Sequence, residues 1–255
     1  MNWSSRRKII YGASFSALLL AFVVYKASPL LFPQPTCFDT KKNGYELGID
    51  CGGLCMLTCQ SEIEPLSVVW ARAVPVSLGE YDFVAMLSNK NTTNAPQGVA
   101  YTFIALDKEG KVMTSGDGVS TVVTDGDFPI ISHSVELDTA PASVIVRLSQ
   151  PPYYKTPEKP ELPAVRSLGW VYEPGSISRV TVTLKNTTQT TFLKTPVRIV
   201  LFDSQNNAIG VGESIVPSLG KEEEKEVVFT WHGVFAKAPT TVRIYPIIDP
   251  FIEIR

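Results

Sequence analysis

The chain reads as all-β: two tandem immunoglobulin-like antiparallel β-sandwiches, preceded by a single transmembrane helix and a small disulfide-rich segment. Three observations predict this. From Pro65 onward apolar and polar residues alternate with period two, in short runs rich in β-branched and aromatic residues. The two halves of that region match each other at a nearly constant offset. Ahead of them, a 17-residue uncharged stretch is followed by four cysteines within 23 residues. Apolar residues make up 44% and charged residues 19% of the 255, close to a globular average, so bulk disorder is excluded. A net charge of −2 disfavours sequence-independent binding to nucleic acid, which needs a basic surface.

The uncharged stretch runs from Ile9 to Tyr25 (IIYGASFSALLLAFVVY), at the short end of what spans a bilayer core of about 30 Å. Arg6, Arg7 and Lys8 precede it and only Lys26 follows closely. The positive-inside rule then predicts a cytoplasmic tail (residues 1–8), an anchor (9–26) contacting the membrane through residues 9–25, and everything later outside. A cleaved signal peptide has the same order of charge and apolarity. Against it, Tyr25-Lys26-Ala27 lacks a small residue at position −3, and the run exceeds a usual signal core. No later stretch is long and apolar enough to span as a helix.

Residues 27–36 hold three prolines and predict a stiff spacer. The segment 37–59 carries Cys37, Cys51, Cys55 and Cys59, which predict two disulfides in an oxidising compartment. Three connectivities are open. A segment this short has too little apolar surface for a core, so cross-links substitute for one. Zinc is disfavoured because Cys37 and Cys51 lie 14 residues apart, outside paired short spacings. Calcium is a second option, since Asp39, Asn43, Glu46 and Asp50 offer hard oxygen ligands within twelve residues, although not at EF-hand spacing. The segment resembles a bacterial cysteine motif, C-x-D-G-x-x-N-G-x-E-x-G-x-D-C-G-G-x-C-x-x-C, found between anchors and other domains of surface proteins. It departs at Thr40, where Gly is usual, and in the three-residue gap between Cys55 and Cys59. The resemblance implies a small extracytoplasmic disulfide module without catalysis.

Two β-sandwiches are expected at residues 62–149 and 165–255, each with roughly seven short strands. Strands are predicted at Tyr81–Leu87, Val99–Leu106, Ser143–Leu148, Arg179–Leu184, Val197–Phe202 and Thr241–Ile247. Between the halves, Asn91 matches Asn186 at an offset of 95, Asp107 matches Asp203 and Gly116 matches Gly212 at 96, Ala140-Pro141 matches Ala238-Pro239 at 98, and Trp70 matches Trp170 at 100. Such offsets are expected of a duplicated domain with loop insertions. Candidate core residues are Trp70, Phe103, Leu106, Trp170, Leu201, Phe229 and Trp231. The run Leu201-Phe202-Asp203 followed by Val216-Pro217-Ser218-Leu219-Gly220-Lys221-Glu222 resembles bacterial FxLYD-type and LEA-like β-sandwich domains, with a weaker counterpart at Ala105-Leu106-Asp107. That resemblance implies a non-enzymatic extracytoplasmic sandwich and no particular ligand. Residues 150–164, with Pro151, Pro152, Pro157, Pro160 and Pro163, predict an extended linker.

No catalytic set is expected. His133 and His232 sit at non-equivalent places, and Asp107 and Asp203 occupy turn positions where Asp bonds the following backbone. Asn91-Thr92-Thr93 and Asn186-Thr187-Thr188 have the form of glycosylation acceptors but read better as turns. The run Lys221–Glu226 reads as a solvated turn protecting an edge strand. No cofactor and no metal are expected. Tyr153, Tyr154 and Phe251, placed in loop or terminal positions, are the candidate binding aromatics. The expectation is a single-pass, non-enzymatic binding or spacer protein of the bacterial cell envelope, with its C-terminal domains outside the plasma membrane and a membrane or envelope protein as partner. The alternative is an accessory subunit of a membrane-embedded export or envelope-assembly complex, its helix packing through Gly12, Ala13, Ser14, Ser16 and Ala17.

Overall fold

The computed structural model describes residues 3–31, 36–158 and 163–254. Its chain divides into two compact units, residues 1–55 and 56–255.

The first unit opens with helix α1 (Trp3–Leu31). Within it, Arg7–Ser28 is long and apolar enough to cross a membrane, and none of that window is buried in protein. Its 22 residues span about 33 Å at 1.5 Å per residue, which matches a bilayer core. The helix runs past residue 26, so residues 27–31 of the expected spacer are helical. Residues 32–35, with Pro33 and Pro35, lie outside the described residues.

The remainder of this unit is the cysteine segment, which is held by turns. Cys37 is bonded to Cys55, Cys51 and Cys59 are disulfide-bonded as well, and no cysteine is free. Gly53 adopts φ 57° and could bear no side chain, since a Cβ there would lie 1.6 Å from the Tyr45 carbonyl oxygen. Thr40, the position where the resembled motif carries Gly, adopts φ 59°. That conformation is costly for a β-branched residue. It is held by Asp50, whose two carboxylate oxygens accept the Thr40 N–H at 3.1 and 2.9 Å.

The second unit is β apart from a 3-10 turn at Gln60–Glu62. Its first sandwich faces a sheet of β1 (Ser67–Ser77), β2 (Glu80–Asn89) and β6 (Gly126–Glu136) against one of β5 (Val112–Ser120), β4 (Val99–Leu106) and β7 (Ser143–Leu148). The second faces β9 (Val165–Glu173), β10 (Ile177–Asn186) and β13 (Glu224–His232) against β12 (Ala208–Leu219), β11 (Phe192–Phe202) and β14 (Thr241–Pro246). The pairings between these strands are antiparallel, with the central strand between its two neighbours in each sheet. Among the described residues each sandwich therefore has six long strands, where roughly seven short ones were expected.

The pairings recur along the chain. Phe103 pairs with Gly116 and Val146, and Ile199 pairs with Gly212 and Ile244. Trp70 opposes Met86 as Trp170 opposes Val182. One sequence match shifts: the structural counterpart of Asn186 is Asn89, not Asn91. Asn89 ends β2 and Asn186 ends β10, both fully buried. The Asn89 amide donates to the carbonyls of Asn94 and Val123, and that of Asn186 to those of Thr190, Leu219 and Gly220. Each side-chain oxygen accepts the N–H two residues on. Adjacent asparagines in the first half made the wrong one look equivalent; burial singles out the one that ends a strand.

Each sandwich has its own core. Phe83, Leu87, Phe103, Phe128 and Ile130 fill the first, and Leu184, Ile199, Leu201, Val216 and Phe229 the second. Fully burying each such side chain contributes roughly 1.5–3 kcal/mol before entropy. Of the expected core residues, Phe103, Leu201 and Phe229 are buried, and Trp170 and Trp231 pack partly buried against the second core. Leu106 is only half-buried, because it ends β4 where the strand turns. Trp70 packs elsewhere: it meets Phe202 edge-on at 6.4 Å, in a third apolar cluster formed between the sandwiches.

That third cluster arises because β2 and β11 are buried on both faces. Phe83, Ala85 and Leu87 point into the first core, while Val84 joins the cluster; Val197, Ile199 and Leu201 point into the second core, while Val200 and Phe202 join it. Val74 and Val211 complete the seam. The two sandwiches are thus packed on each other, and the described first part of the expected linker, residues 150–158, is not a free spacer. Within them β8 (Tyr154–Lys155) pairs with β3 (Asn94–Ala95), and Thr58 N–H donates to the Tyr153 carbonyl at 2.9 Å. Lys159 and Pro160 of the linker lie outside the described residues.

Candidate functional site

A buried ionic side chain crosses the seam of the second unit. Arg198 leaves the outer face of β11 and enters the first sandwich, only 9% exposed. Its Nη1 donates to Ser120 Oγ at 2.9 Å and to the Pro129 carbonyl at 2.8 Å, while Nε is paired with Glu213 on β12. Room on the first sandwich comes from β5, whose Gly116 and Gly118 oppose Phe103 and Tyr101. A Cβ on Gly118 would lie 2.4 Å from the Tyr101 ring. Tyr101 instead lies over it and donates its hydroxyl to the Ile131 carbonyl at 3.3 Å. Burial pushes the Tyr101 phenol up from its usual range.

A bulge in the β2–β6 pairing sets a second polar pair beside the first. Tyr81 opposes Val135 and Phe83 opposes Ser132, so Asp82 faces both His133 and Ser134. Ser134 adopts φ 56° and donates its N–H to Asp82 Oδ1 at 3.0 Å. His133 Nδ1 lies 3.2 Å from Asp82 Oδ2. The Asp82 carboxylate holds the half-exposed imidazole above its usual range, against the effect of burial; Glu213 acts in the same direction and Arg198 opposes it. Asp82 also lines a cleft of about 410 Å³ with Val74, Ile209, Trp231, Phe235 and Lys237. Its aromatic wall is part of the fold. Phe235 packs over Gly210, and Trp231 meets Phe235 at 5.4 Å while donating its indole N–H to the Val211 carbonyl.

The turn carboxylates behave alike in the two sandwiches. Asp107 accepts from the amides of Glu109 and Lys111, and Asp203 from those of Gln205 and Asn207. Asp203 adds an ion pair to Lys237 at 2.8 Å, and Lys237, with these amides, holds its carboxyl well below the usual carboxylate range. The acidic run after Leu219 forms a turn leading into the edge strand β13, tied down by Lys185–Glu224 and by Lys225 donating to the Ser218 carbonyl.

The expected binding aromatics do not form one surface. Tyr153 is 4% exposed, and its hydroxyl accepts the Leu66 N–H at 2.9 Å, so it is a buried brace between the linker and the incoming chain. Tyr154 is half-buried in β8, where backbone pairing holds it. Phe251 is half-buried in the turn after β14, its N–H donated to Asp249 Oδ1. Neither sequon asparagine is available to a modifying enzyme: Asn91 is spent on Glu64 backbone groups and on Asn89, and Asn186 is fully buried.

In the cysteine segment, the four oxygen-bearing residues converge on the backbone and on one another. Asp50 accepts from the amides of Asp39 and Thr40, and Asp39 from the Lys41 amide and from Asn43 Nδ2 at 2.7 Å. Glu46 accepts the Asn43 N–H. Asn43 holds the Asp39 carboxyl below its usual value. This is loop closure, with the carboxylates already engaged by amides. Cys37, Glu46 and Cys55 also approach within 4.8 Å, but the two sulfurs are bonded to each other and offer no thiolate.

Sequence reasoning missed Arg198, Asp82 and Glu213. The signal was present: Phe83–Leu87 and Ile199–Phe202 are continuous apolar runs, the pattern of strands covered on both faces. A lone Arg beside such a run marks a buried cation needing a partner.

No family model matches the chain, and no curated protein matches it in sequence. Among solved structures it is similar to red sea bream transglutaminase at 11% identity and a TM-score of 0.23, over 73% of this chain and 31% of that one. It is also similar to the tandem CBM22-1–CBM22-2 domain of Paenibacillus barcinonensis Xyn10C at 9% identity and a TM-score of 0.15, over 74% and 86% of the two chains. The chain thus spans under a third of the transglutaminase. Likenesses this weak carry no argument.

Proposed function

We propose that this is a membrane-anchored, extracytoplasmic, non-enzymatic protein of the bacterial cell envelope, whose duplicated sandwiches serve as a binding or spacing module. The observation that carries this reading is the order of parts. A helix of membrane-crossing length precedes a segment whose four cysteines are all disulfide-bonded, and disulfides persist in oxidising compartments. Arg7 and Lys8 before the apolar run support a cytoplasmic N-terminus. Packing of the two sandwiches through the seam suits a module that presents surfaces at fixed separation.

The test is protease accessibility on intact and opened cells, combined with photo-crosslinking from exposed positions in each sandwich. Digestion of residues 56–255 from outside, with α1 retained in the membrane fraction, is expected. Protection of that unit in intact, outer-permeabilised cells would overturn the orientation, and release of a soluble chain lacking α1 would replace the anchor by a signal peptide. Reproducible capture of one integral membrane protein would favour the accessory-subunit alternative, in which α1 packs in the bilayer through the exposed small residues Gly12, Ala13, Ser14, Ser16 and Ala17.

A further inference from the structure

We propose that the cleft between the sandwiches receives a basic side chain carried on an apolar segment of a partner protein, with the Asp82 carboxylate as its counter-charge. This rests on the reading of the sandwiches as a binding module and assigns that module its site. The cleft of about 410 Å³ has the size of a ligand site. Both sandwiches build its apolar wall: Val74 and Val76 from β1, Ile209 and Val211 from β12, and Trp231 and Phe235 at and after the end of β13. The Trp231 indole N–H is already donated to the Val211 carbonyl, so the residue offers the cleft aromatic surface rather than a donor. Aromatic surface attracts cations.

Charge selects the occupant. The carboxylates lining the cleft are Asp82 and Asp203, and the one lysine there is Lys237. Lys237 is spent on Asp203 at 2.8 Å and on Gln205 at 2.9 Å. Asp82 has no lysine or arginine partner among the described ion pairs; it meets only the half-exposed His133 imidazole, which is cationic only when protonated. The Asp82 side chain is held at the seam, on the same face of β2 as Val84 and opposite Val74, both members of the apolar cluster. Its Oδ1 accepts the Ser134 N–H and its Oδ2 faces His133 Nδ1, whereas an ionised carboxylate offers about four acceptor positions. A desolvated carboxylate with acceptor capacity to spare favours a cation and repels an anion. The aliphatic stem of a lysine or arginine matches the apolar wall. Placement leaves the site open to a partner. Asp82 and Asn89 lie seven residues apart on β2, about 23 Å at 3.3 Å per residue, and the incoming chain at Glu64 is bonded beside Asn89 through Asn91. The cleft therefore sits toward the opposite end of the first sandwich, where Leu78 of the β1–β2 turn and Val234 of the β13–β14 loop are exposed apolar side chains.

The experiment uses the full-length chain in detergent micelles with 5-fluorotryptophan at its four tryptophans, read by fluorine NMR. The probes are the tripeptide amides acetyl-Leu-Lys-Leu, acetyl-Leu-norleucine-Leu and acetyl-Leu-Glu-Leu, together with lysine amide alone. A saturable shift of the Trp231 signal by the lysine peptide is expected, with an affinity about tenfold above that of the norleucine peptide, and no shift by the glutamate peptide. Asp82→Asn keeps an acceptor for the Ser134 N–H and should erase that preference while the Trp70 signal at the seam stays in place. Should it move Trp70, the comparison of the peptides on the unaltered chain decides. The proposal is overturned if the norleucine peptide binds as well as the lysine peptide, if the preference survives Asp82→Asn, or if no peptide moves the Trp231 signal. Lysine amide binding as tightly as the lysine peptide would also overturn it, in favour of a small amine. Photo-crosslinkers at Val234 and at the exposed Lys108 of the β4–β5 turn separate this site from the binding role as such. A partner captured from Lys108 and not from Val234 overturns the cleft and leaves the binding module; no capture from either, with no peptide response, overturns both.

Discussion

Replacing Arg198 by Ala is the sharpest single test of how the two sandwiches are held. The guanidinium makes two hydrogen bonds into the first sandwich, to Ser120 Oγ and the Pro129 carbonyl, and one ion pair to Glu213 within its own. Truncation removes the Arg198 donor from Ser120 Oγ, the Pro129 carbonyl and the Glu213 carboxylate. Breaking a buried pair by removing one partner costs about 3–5 kcal/mol. The Glu213 side chain is 35% exposed and regains some water, which places the loss near the lower end, at about 3 kcal/mol. For a cooperative unit of this size, each kcal/mol lowers Tm by about 2–4 °C, so a fall of roughly 6–12 °C is expected. The assay is thermal and urea unfolding of the full chain in detergent, followed by near-ultraviolet circular dichroism. The tryptophans report both halves, with Trp70 at the seam and Trp231 against the second core. Unfolding of the variant should split into two transitions as the sandwiches uncouple. The double variant Arg198→Met with Glu213→Leu should recover most of the loss, because an apolar pair carries no desolvation penalty. A fall of less than about 2 °C with a single transition, or a double variant as unstable as Arg198→Ala, would show that the apolar cluster alone holds the seam.

Three further outcomes are expected. Asn186→Ala should cost more than Asn89→Ala in chemical denaturation, by about 1 kcal/mol, because its amide serves three carbonyls rather than two; equal losses would refute the link between buried donors and cost. Thr40→Gly should stabilise the cysteine segment by about 1 kcal/mol, since glycine adopts the φ 59° conformation without penalty. Slower reduction of its disulfides by a fixed thiol concentration would show this, and unchanged or faster reduction would count against it. Lys237→Met should make the β11–β12 turn sensitive to acid at higher pH. Asp203 has a lowered carboxyl, so its stabilisation is present above the ordinary value of 3.8 and is lost as pH falls through the lowered one; removing Lys237 moves that loss upward. Amide exchange at Gln205 and Asn207 against pH measures it, and an unshifted profile would refute the role of Lys237.

The strand pattern was legible because each strand has one face in a core, and period-two alternation survives wherever the other face meets water. Ser143–Leu148 emerges with its predicted bounds for that reason, and Val99–Leu106 keeps its predicted bounds although Phe103, Ile104 and Ala105 are buried in succession. The turn aspartates Asp107 and Asp203 were legible because their bonds are local, reaching amides two and four residues on. Tyr153 was misjudged because its partners, Leu66 and Thr58, are far away in sequence and become neighbours only when the linker folds back.

The sequence by itself determined the elements: one apolar helix, a cross-linked cysteine segment and two runs of strands with matching registers. All of these depend on local pattern, on cysteine chemistry or on repetition along one chain. Only the tertiary structure decided that the sandwiches pack on each other and that Arg198 crosses between them to Ser120 and the Pro129 carbonyl. Those contacts join residues 69 and 78 positions apart and more. Nothing local encodes them, because a side chain at the outer face of a strand has the same sequence signature whether it meets solvent or a second sheet.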